Sequence, residues 1–529
     1  MNKKGYLSFV LHAHLPFVHH PEDDSLLEES WLFEAISETY IPLLKMFKKL
    51  EEENVKYMIT MTMTPPLLSM LDNELLKKRY IIYLKDRIEL SLKEIERTKD
   101  NVKINKLSRY YYERYKEDLN FYLNTLKSDI ISGFKYFQDK GFLEIITCGA
   151  THGYFPILIL NEKAVKAQIQ VGVETYEKYF GRKPNGIWLP ECGYVPESDK
   201  YLKEFGIKYI ITETHGILYA NPRPVFGTFS PIVSPTGIVA FGRDLESSRQ
   251  VWSSIIGYPG DYNYRDFYKD IGYDIEDYEY IKPYIAKNGV RVHTGIKYHK
   301  ITGKTFEKDI YDLDDAMQSA ENQASHFIHS RIEQLKQTEN MPIPPVILCP
   351  YDAELYGHWW YEGPYWLYIL FKKIHFDQNT IELITPSEYL KINSEIQESA
   401  PCISSWGANG YSEVWINESN DYAHKHLLTL ANRMTYIANK FKNETDPLKI
   451  RVLNQLAREL LLLQSSDWLF IITNGTMVEY AHRRINLHTG RFNALYKMLE
   501  QNEIAAHYLK DLEIKDNIFK DIDFRIYSD

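Results

Sequence analysis

The sequence predicts an α/β fold of the barrel type, from its short apolar runs and from the helical segments between them. Eight runs rich in Ile, Val, Leu, Phe and Tyr have the length of buried strands. Strands that alternate with helices indicate parallel β/α units, and seven or eight such units favour a barrel. The predicted strands are Tyr6–Leu11, Tyr57–Met63, Leu143–Cys148, Gly186–Leu189, Tyr209–Thr212, Ile238–Phe241, Val346–Cys349 and Ile381–Ile384. The predicted helices include Glu162–Phe180, Pro196–Phe205 and Asp314–Leu335.

Three segments depart from this alternation. From about Leu67 to Lys140 the chain is dense in Lys, Glu, Tyr and Leu, which predicts a helical excursion between two strands. Tyr219 to Lys304 is rich in Gly, Pro, Tyr and Asp, as is typical of lids and binding loops. The pattern is helical again from Glu418 onward. The expected organisation is therefore barrel at 1–66 and 142–417, helical insertion at 67–141, lid or loop insertion at 219–304, and helical C-terminal domain at 418–529.

The composition is that of a globular protein with many aromatic residues. The 529 residues are 44% hydrophobic and 25% charged, and the net charge of −10 argues against a nucleic-acid or anionic-membrane partner. The 41 Tyr, 24 Phe and 9 Trp fit a sugar substrate, because flat rings pack against the C–H faces of sugars. No apolar run reaches the roughly 18 residues of a membrane span. The four cysteines form no C-x-x-C pair, so we expect a cytoplasmic protein without a structural zinc site.

Two carboxylates stand where predicted strands end. Glu191 follows the apolar run in Trp188–Tyr194, and Asp352 follows the run in Val346–Glu354. Catalytic side chains gather at the C-terminal ends of barrel strands. A retaining glycosidase needs a carboxylate nucleophile and a second carboxyl that acts as acid and then base, about 5–5.5 Å apart. The pair suits these roles, with Glu191 as nucleophile and Asp352 as acid/base, whereas Glu354 is better explained as an ion-pair partner or cap.

His12 and His14 end the first predicted strand. Side chains alternate along a strand, so both imidazoles point to one side, which we expect to be the barrel mouth. An H-x-H pair at this place is typical either of metal ligands or of groups that hydrogen-bond sugar hydroxyls. A metal site would need further ligands from other strand ends, for which His152 and Asp352 are the candidates.

Tryptophans accompany these acids. Trp359 and Trp360 follow the second carboxylate, Asp352, within eight positions, which favours a sugar site. Trp406 and Trp415 lie in a Gly/Ser-rich loop, where an exposed Trp is costly unless something stacks on it. The alternative for this second pair is a packing contact between barrel and helical domain. Asp467, from the helical domain, could reach the cleft or simply cap a helix.

These residues, taken in order, resemble glycoside hydrolase family 57, in particular its 1,4-α-glucan branching enzymes and the members called α-amylases. The resemblance covers nearly the whole chain. It implies an incomplete (β/α)7 barrel with a helical insertion and a helical C-terminal domain that shares the cleft. The five short regions that carry the resemblance are His12–Pro16, Gly149–Pro156, Trp188–Tyr194, Cys349–Trp360 and Ser404–Trp415.

The resemblance also implies roles for single residues. Glu191 matches the family nucleophile and Asp352 the general acid/base, and no metal or other cofactor is implied. The positions that we expect to bind substrate are His12, His14, His152, Arg265, Trp360, Trp406, Trp415 and Asp467. Related branching enzymes carry a mobile loop with a Tyr over the active site; this loop aligns with Asn221–Pro235, which has Phe226 and Phe229 but no Tyr.

The predicted function is that of a retaining 1,4-α-glucan branching enzyme with some hydrolysis. Its substrate would be an α-1,4-glucan such as amylose or a glycogen-like polymer. The alternatives are an α-amylase or a 4-α-glucanotransferase of the same family, a metal-dependent barrel hydrolase or deacetylase that uses His12, His14 and Asp352, and a glucan-binding protein without catalysis.

Overall fold

The computed structural model describes residues 5–23, 28–253, 256–285 and 287–529. Its centre is a curled sheet of mostly parallel strands. The strands are β1 Gly5–Ala13, β2 Ile59–Met63, β3 Leu143–Cys148, β4 Gly186–Trp188, β5 Tyr209–Thr212, β6 Ile232–Val233, β7 Val239–Gly242, β8 Val346–Asp352, β9 Ile381–Leu383 and β10 Gln397–Glu398.

Seven of these strands form the barrel wall. They run parallel in the order β8-β1-β2-β3-β4-β5-β7. The first and last strands of this series approach each other where Arg243 forms an isolated bridge with Leu348 and the Asp244 amide donates to the Leu348 carbonyl at 2.9 Å. Additional strands extend the sheet, with β9 beside β1, β6 antiparallel to β7, and β10 beside β6. The predicted incomplete (β/α)7 barrel is confirmed.

Helices surround this wall. They are α1 Glu28–Ala35, α2 Ile41–Glu52, α3 Pro65–Leu71, α4 Glu74–Arg97, α5 Val102–Asn120, α6 Ile130–Asp139, α7 Phe155–Leu158, α8 Glu162–Phe180, α9 Asp199–Glu204, α10 Thr214–Leu218, α11 Leu245–Trp252, α12 Ile271–Asp274, α13 Tyr278–Ile281, α14 Leu313–Lys336, α15 Gly363–Phe376, α16 Pro386–Ile392, α17 Asp421–Lys440, α18 Pro447–Leu463, α19 Ser466–Asn474, α20 Val478–Gln501 and α21 Ala506–Lys515. Short π-helical turns span Ile36–Tyr40 and Phe121–Thr125. Thus α3 to α6 lie between β2 and β3, and α17 to α21 follow the barrel.

Local chemistry accounts for the best-predicted helix, α8. The side chain of Asn161 caps its N-terminus by accepting from the Ala164 amide, and Gly181 ends it in the left-handed conformation at φ 68°. Both signals are visible in the sequence, and the predicted and observed bounds are the same. Pro196–Phe205 instead divides into a short 3-10 turn, Pro196–Ser198, followed by α9.

Side chains from the strands fill the barrel interior. A buried apolar cluster, separate from the main core, brings together residues of β1, β3, β4, β5, β7 and β8. Its strand members include Val10, Ile146, Trp188, Ile211, Phe241 and Leu348. The barrel interior is therefore a packed core, and a substrate can bind only at the ends of the strands. Among the described helices, none combines the length and apolarity that crossing a bilayer requires.

The loop over Asn221–Pro235 packs beside the C-terminal end of β7, where a Cβ on Gly242 would lie 3.1 Å from Thr228 Cγ2. The Asn221 amide donates to the Ala400 carbonyl at 3.0 Å, and the Val225 amide donates to Gln397 Oε1 at 2.8 Å. Its Phe226 and Phe229 line a cavity of about 480 Å³ with residues 337–341, which precede β8. That this loop covers the active site stays a prediction.

Candidate active site

Glu191 lies in a strained turn directly after β4. The 3-10 turn Pro190–Cys192 gives Glu191 a φ of 60° and Cys192 a φ of 50°. Non-glycine residues rarely adopt this left-handed region, and such residues cluster at functional sites. Gly193 follows because no side chain fits: a Cβ there would lie 2.5 Å from the Tyr154 ring. The turn stops β4 and places the carboxylate at the barrel mouth.

Each oxygen of the Glu191 carboxylate has a hydrogen-bond donor. Trp406 Nε1 donates to Oε2 at 2.9 Å, and Ser466 Oγ lies 2.8 Å from Oε1. The Trp406 amide also donates to the Glu191 carbonyl at 2.9 Å. Burial raises the pKa of Glu191 to about 7, against the opposing effect of these donors, which favour the ionised form. The carboxylate is thus held in one orientation and close to its ionisation point at neutral pH.

Asp352 is the last residue of β8 and lies opposite His12 of β1 in the parallel register. Burial, together with the charge of Glu354, raises the pKa of Asp352 to about 7. β1 and β8 both continue past their predicted ends. Their backbones stay hydrogen-bonded to each other even where polar side chains interrupt the apolar pattern. An acid in this setting can hold its proton near neutral pH, as a general acid must.

The Glu354 carboxylate is held by hydrogen bonds to two neighbouring parts of the chain. Its Oε1 accepts from the Tyr40 hydroxyl at 2.5 Å and from the His14 amide at 3.2 Å. Burial also raises the pKa of Glu354 to about 7. The cap-like role expected for Glu354 agrees with these contacts, which join β1, the π-helical turn before α2 and the end of β8.

Three histidines stack between the two acids. His12 Nε2 lies 3.0 Å from His152 Nε2, and the His14 and His152 rings stack with centroids 3.9 Å apart. The His12 ring in turn lies flat against Trp188 at 4.5 Å. Burial lowers the pKa of His12 and of His152 well below the usual range, so both are neutral at neutral pH. The structure therefore brings together the three predicted histidines.

His14 differs because it faces Asp467 of α19. Its Nε2 lies 3.0 Å and 3.1 Å from the two Asp467 oxygens, and its Nδ1 lies 3.1 Å from Thr64 Oγ1. Burial would lower the pKa of His14, but the Asp467 carboxylate outweighs it and raises the pKa. Burial likewise opposes ionisation of Asp467, but the His14 charge and hydrogen bond lower its pKa to about 2. The pair is an ion pair that ties β1 to α19.

A metal ion shared by His14 and His152 does not fit the orientation of their rings. Ligand atoms of His14, His152 and Asp467 lie within 4.8 Å of one another, so distance alone would permit an ion. An imidazole nitrogen binds a metal in the plane of its ring, at about 2.0–2.1 Å for zinc. The His14 and His152 rings are stacked at 15° to each other, so one ion cannot lie in both planes. Among the described residues, no group within this distance combines His12, His14 and Asp352, the ligand set of the metal-dependent alternative.

The predicted aromatic and basic residues divide into those inside the site and those outside it. Trp406 contacts Glu191 directly. Trp415 is 1% exposed and stacks on Tyr154, so its ring is covered by packing within the barrel segment. Trp360 is also 1% exposed, and Tyr264, Tyr356 and Trp366 surround its ring, so it offers no face to a glucan.

Arg265 lies in a separate buried network. Its Nη2 donates to Glu38 Oε1 at 2.9 Å, and its guanidinium lies over the Tyr361 ring at 3.7 Å. His358 Nδ1 lies 2.7 Å from the other Glu38 oxygen. The neighbouring residue Trp359 is 51% exposed and stacks on Phe267 at 4.4 Å. Trp359, rather than Trp360, is thus the exposed member of the tryptophan pair.

Four residues of the site did not follow from the sequence. Ser466 contacts both Glu191 and His152, Tyr40 donates to Glu354, and Thr64 lies against His14. Arg243 pairs with Glu213 at 2.9 Å and lies over the Trp406 ring at 5.7 Å. Of these four, only Ser466 has a signal in the sequence, because it adjoins the predicted residue Asp467. Other Ser and Thr residues are too common for the sequence to single one out.

Comparison with known proteins agrees with this geometry. The family model described as Glycosyl hydrolase family 57 matches residues 8–344, and the model described as 1,4-alpha-glucan branching enzyme, C-terminal matches residues 426–527. A 1,4-alpha-glucan branching enzyme of Thermococcus kodakarensis is 37% identical, over 98% of this chain and 78% of that protein.

Solved structures are similar over almost the entire chain. The alpha-amylase AmyC from Thermotoga maritima has a TM-score of 0.93 and 44% identity, with 99% of each chain covered. A GH57-type branching enzyme from Pyrococcus horikoshii has a TM-score of 0.89 and 33% identity, covering 99% of this chain and 97% of that one. The resemblance found in the sequence is confirmed, and the chain belongs to glycosyl hydrolase family 57.

Proposed function

We propose that this protein is a retaining 1,4-α-glucan branching enzyme, with Glu191 as nucleophile and Asp352 as acid and base. The observation that carries the proposal is the contribution of α19 to the site. Ser466 and Asp467 lie in the region that matches the branching-enzyme C-terminal model, and both contact residues of the barrel mouth. The substrate is an α-1,4-glucan, which serves as donor and as acceptor.

In the first step, Asp352 gives its proton to the glycosidic oxygen while Glu191 attacks the anomeric carbon. The bond between that carbon and the oxygen breaks, the remainder of the glucan leaves as an alcohol, and a covalent glycosyl-enzyme remains. Trp406 and Ser466 support this step because they hold the attacking carboxylate in place. His12 and His152 are neutral, so they add no charge beside the reacting carbon.

In the second step, Asp352 is ionised and takes the proton from the attacking hydroxyl. The oxygen of a glucan 6-hydroxyl forms the new bond to the anomeric carbon, and the bond to Glu191 breaks. The product is an α-1,6 branch, and both carboxyls return to their starting states. Water in place of the 6-hydroxyl gives hydrolysis.

The rate on amylose should follow a bell-shaped pH profile with its maximum near neutral pH. Glu191 must be ionised, so activity is lost as pH falls through its pKa of about 7. Asp352 must be protonated for the first step, so activity is lost as pH rises through its pKa of about 7. The pH dependence of kcat/KM reports the pKa values of both carboxyls in the free enzyme. A flat profile between pH 5 and 9 would contradict the proposed pair.

An α-amylase is the second candidate, favoured by the 44% identity to the Thermotoga maritima alpha-amylase. Both activities share the first step, so Glu191 and Asp352 do not separate them. What differs is how well an acceptor hydroxyl competes with water for the glycosyl-enzyme.

The test is proton NMR of amylose after incubation with the enzyme. For a branching enzyme we expect α-1,6 anomeric signals to grow faster than new reducing ends, because transfer moves the anomeric carbon from Glu191 to a 6-hydroxyl and releases no reducing end. Incubation with the Glu191→Gln protein is the matched control, and it should produce neither signal. Reducing ends that accumulate without α-1,6 signals would make the protein an α-amylase.

A further inference from the structure

Four side chains from four parts of the chain form a continuous hydrogen-bonded series at the site. His12 Nε2 lies 3.0 Å from His152 Nε2, His152 Nδ1 lies 2.8 Å from Ser466 Oγ, and Ser466 Oγ lies 2.8 Å from Glu191 Oε1. All four are buried, and the Ser466 amide also donates to the His152 carbonyl at 3.0 Å. Ser466, the first residue of α19, is the link between the imidazoles and the carboxylate.

The Glu191 carboxylate, at the end of the series, determines which atom donates in each of its hydrogen bonds. An ionised carboxylate only accepts hydrogen bonds, so Ser466 must donate its single proton to Glu191. Its oxygen can then only accept from His152, which requires the proton of neutral His152 to be on Nδ1. His152 Nε2 is left as an acceptor, and His12 must therefore carry its proton on Nε2.

The far end of the series makes the opposite direction unfavourable. His12 Nδ1 is buried and has no hydrogen-bond partner among the described residues. In the direction just given, this atom is an unused lone pair. If the hydrogen bonds ran the other way, His12 Nδ1 would carry a proton and would be a buried donor without an acceptor. A buried unpaired donor is rarer than an unused lone pair and costs more free energy. The packing around His12 thus favours the direction in which Glu191 accepts.

We propose that His12, His152 and Ser466 form a one-directional hydrogen-bond relay that ends on Glu191, and that Ser466 is the positioning residue for this carboxylate. The relay rests on the proposed role of Glu191 and adds to it which tautomers the two histidines adopt. It also gives α19 a defined task, because the barrel alone lacks the hydroxyl that joins His152 to Glu191.

Other groups face Glu191 and act on its ionisation. Asp467 of α19 opposes the carboxylate charge, His14 of β1 favours it, and Trp406 donates to its second oxygen. These contacts stay in place when Ser466 alone is changed. A change in the pH profile of a Ser466 variant can therefore be assigned to loss of the relay.

The first test compares the acid limb of the kcat/KM profile in three proteins. Ser466→Ala removes a donor to the ionised carboxylate, so the limb should move upward by about one pH unit, which is a tenfold change in the ionisation constant. Ser466→Thr keeps the hydroxyl and should keep the limb near its original position. Thr473→Val removes a hydroxyl from the same helix, where Thr473 donates to the Val414 carbonyl, and should leave the limb unchanged. An unmoved limb in Ser466→Ala, whatever happens to kcat, would overturn the positioning role.

The second test uses the unaltered protein and does not depend on activity. In ¹⁵N NMR of protein labelled at its histidine rings, at a pH where Glu191 is ionised, we expect His152 protonated at Nδ1 and His12 protonated at Nε2. The two signals can be assigned with His152→Asn and His12→Gln proteins. His152 protonated at Nε2 would refute the relay even if Glu191 is the nucleophile. Conversely, full activity of Glu191→Gln would refute the proposed function without changing the tautomers.

Discussion

Replacing Glu191 with Gln is expected to lower turnover of amylose by roughly 10⁴-fold or more, because a covalent step that loses its nucleophile has no substitute. The fold should survive. A Gln amide oxygen can accept from Trp406 Nε1, and its NH₂ group can donate to Ser466 Oγ, which is able to accept. The loss should therefore appear in kcat rather than in the amount of folded protein.

The measurement is the initial rate of α-1,6 bond formation together with reducing-end release. Circular dichroism and the melting temperature provide the control for folding. Glu354→Gln is a matched carboxyl variant in the same site, and we expect it to be damaged far less because Glu354 contacts Tyr40 and the His14 amide. A Glu191→Gln protein that keeps more than a tenth of the original activity would remove Glu191 from the nucleophilic role.

Replacing Asp352 with Asn should have the second largest effect, and its size should depend on the leaving group. General acid–base catalysis contributes about 10²–10⁴-fold, so turnover of amylose should fall by that factor. A glucosyl donor with a leaving group such as fluoride needs no proton to depart, and its first step should be much less affected. The glycosyl-enzyme should then accumulate, because no base activates the acceptor.

Azide provides the diagnostic measurement for Asp352→Asn. Azide is a nucleophile that needs no base, so it should speed turnover of the activated donor and yield a glucosyl azide of retained configuration. The unaltered enzyme treated with azide is the control and should show no acceleration. Equal losses on amylose and on the activated donor, with no azide product, would indicate a structural role for Asp352 instead.

Local signals were sufficient for most of the barrel. Apolar runs bounded by polar residues located β1, β3, β5 and β8, and the caps at Asn161 and Gly181 fixed α8. The ends of β1 and β8 were placed too early, because His12 and Asp352 interrupt the apolar pattern while their backbones stay paired. Whether a polar residue ends a strand depends on its neighbour in the sheet, which a single sequence does not display.

The site was predictable where a residue type and a strand end coincide, as for Glu191, Asp352 and His12. It was not predictable where the contact joins distant parts of the chain. Ser466 lies 275 positions from Glu191 in the sequence, and only its place beside Asp467 distinguishes it from other serines. Trp359 and Trp360 have the same chemistry, and only the packing of Trp360 against Trp366 shows which ring is covered.

The left-handed backbone at His152, Glu191 and Cys192 has a consequence for how this protein can change over time. Each such residue costs roughly 1–2 kcal/mol relative to an ordinary conformation. The proposed nucleophile, Glu191, is thus a residue that this turn would hold at a lower free-energy cost as Asn or Gly. Glu191→Asn and Glu191→Gly proteins should be inactive yet melt at a higher temperature than the active protein, so selection for stability alone would erode catalysis. Ancestral proteins that kept the reaction also had to keep the free-energy cost of this backbone conformation.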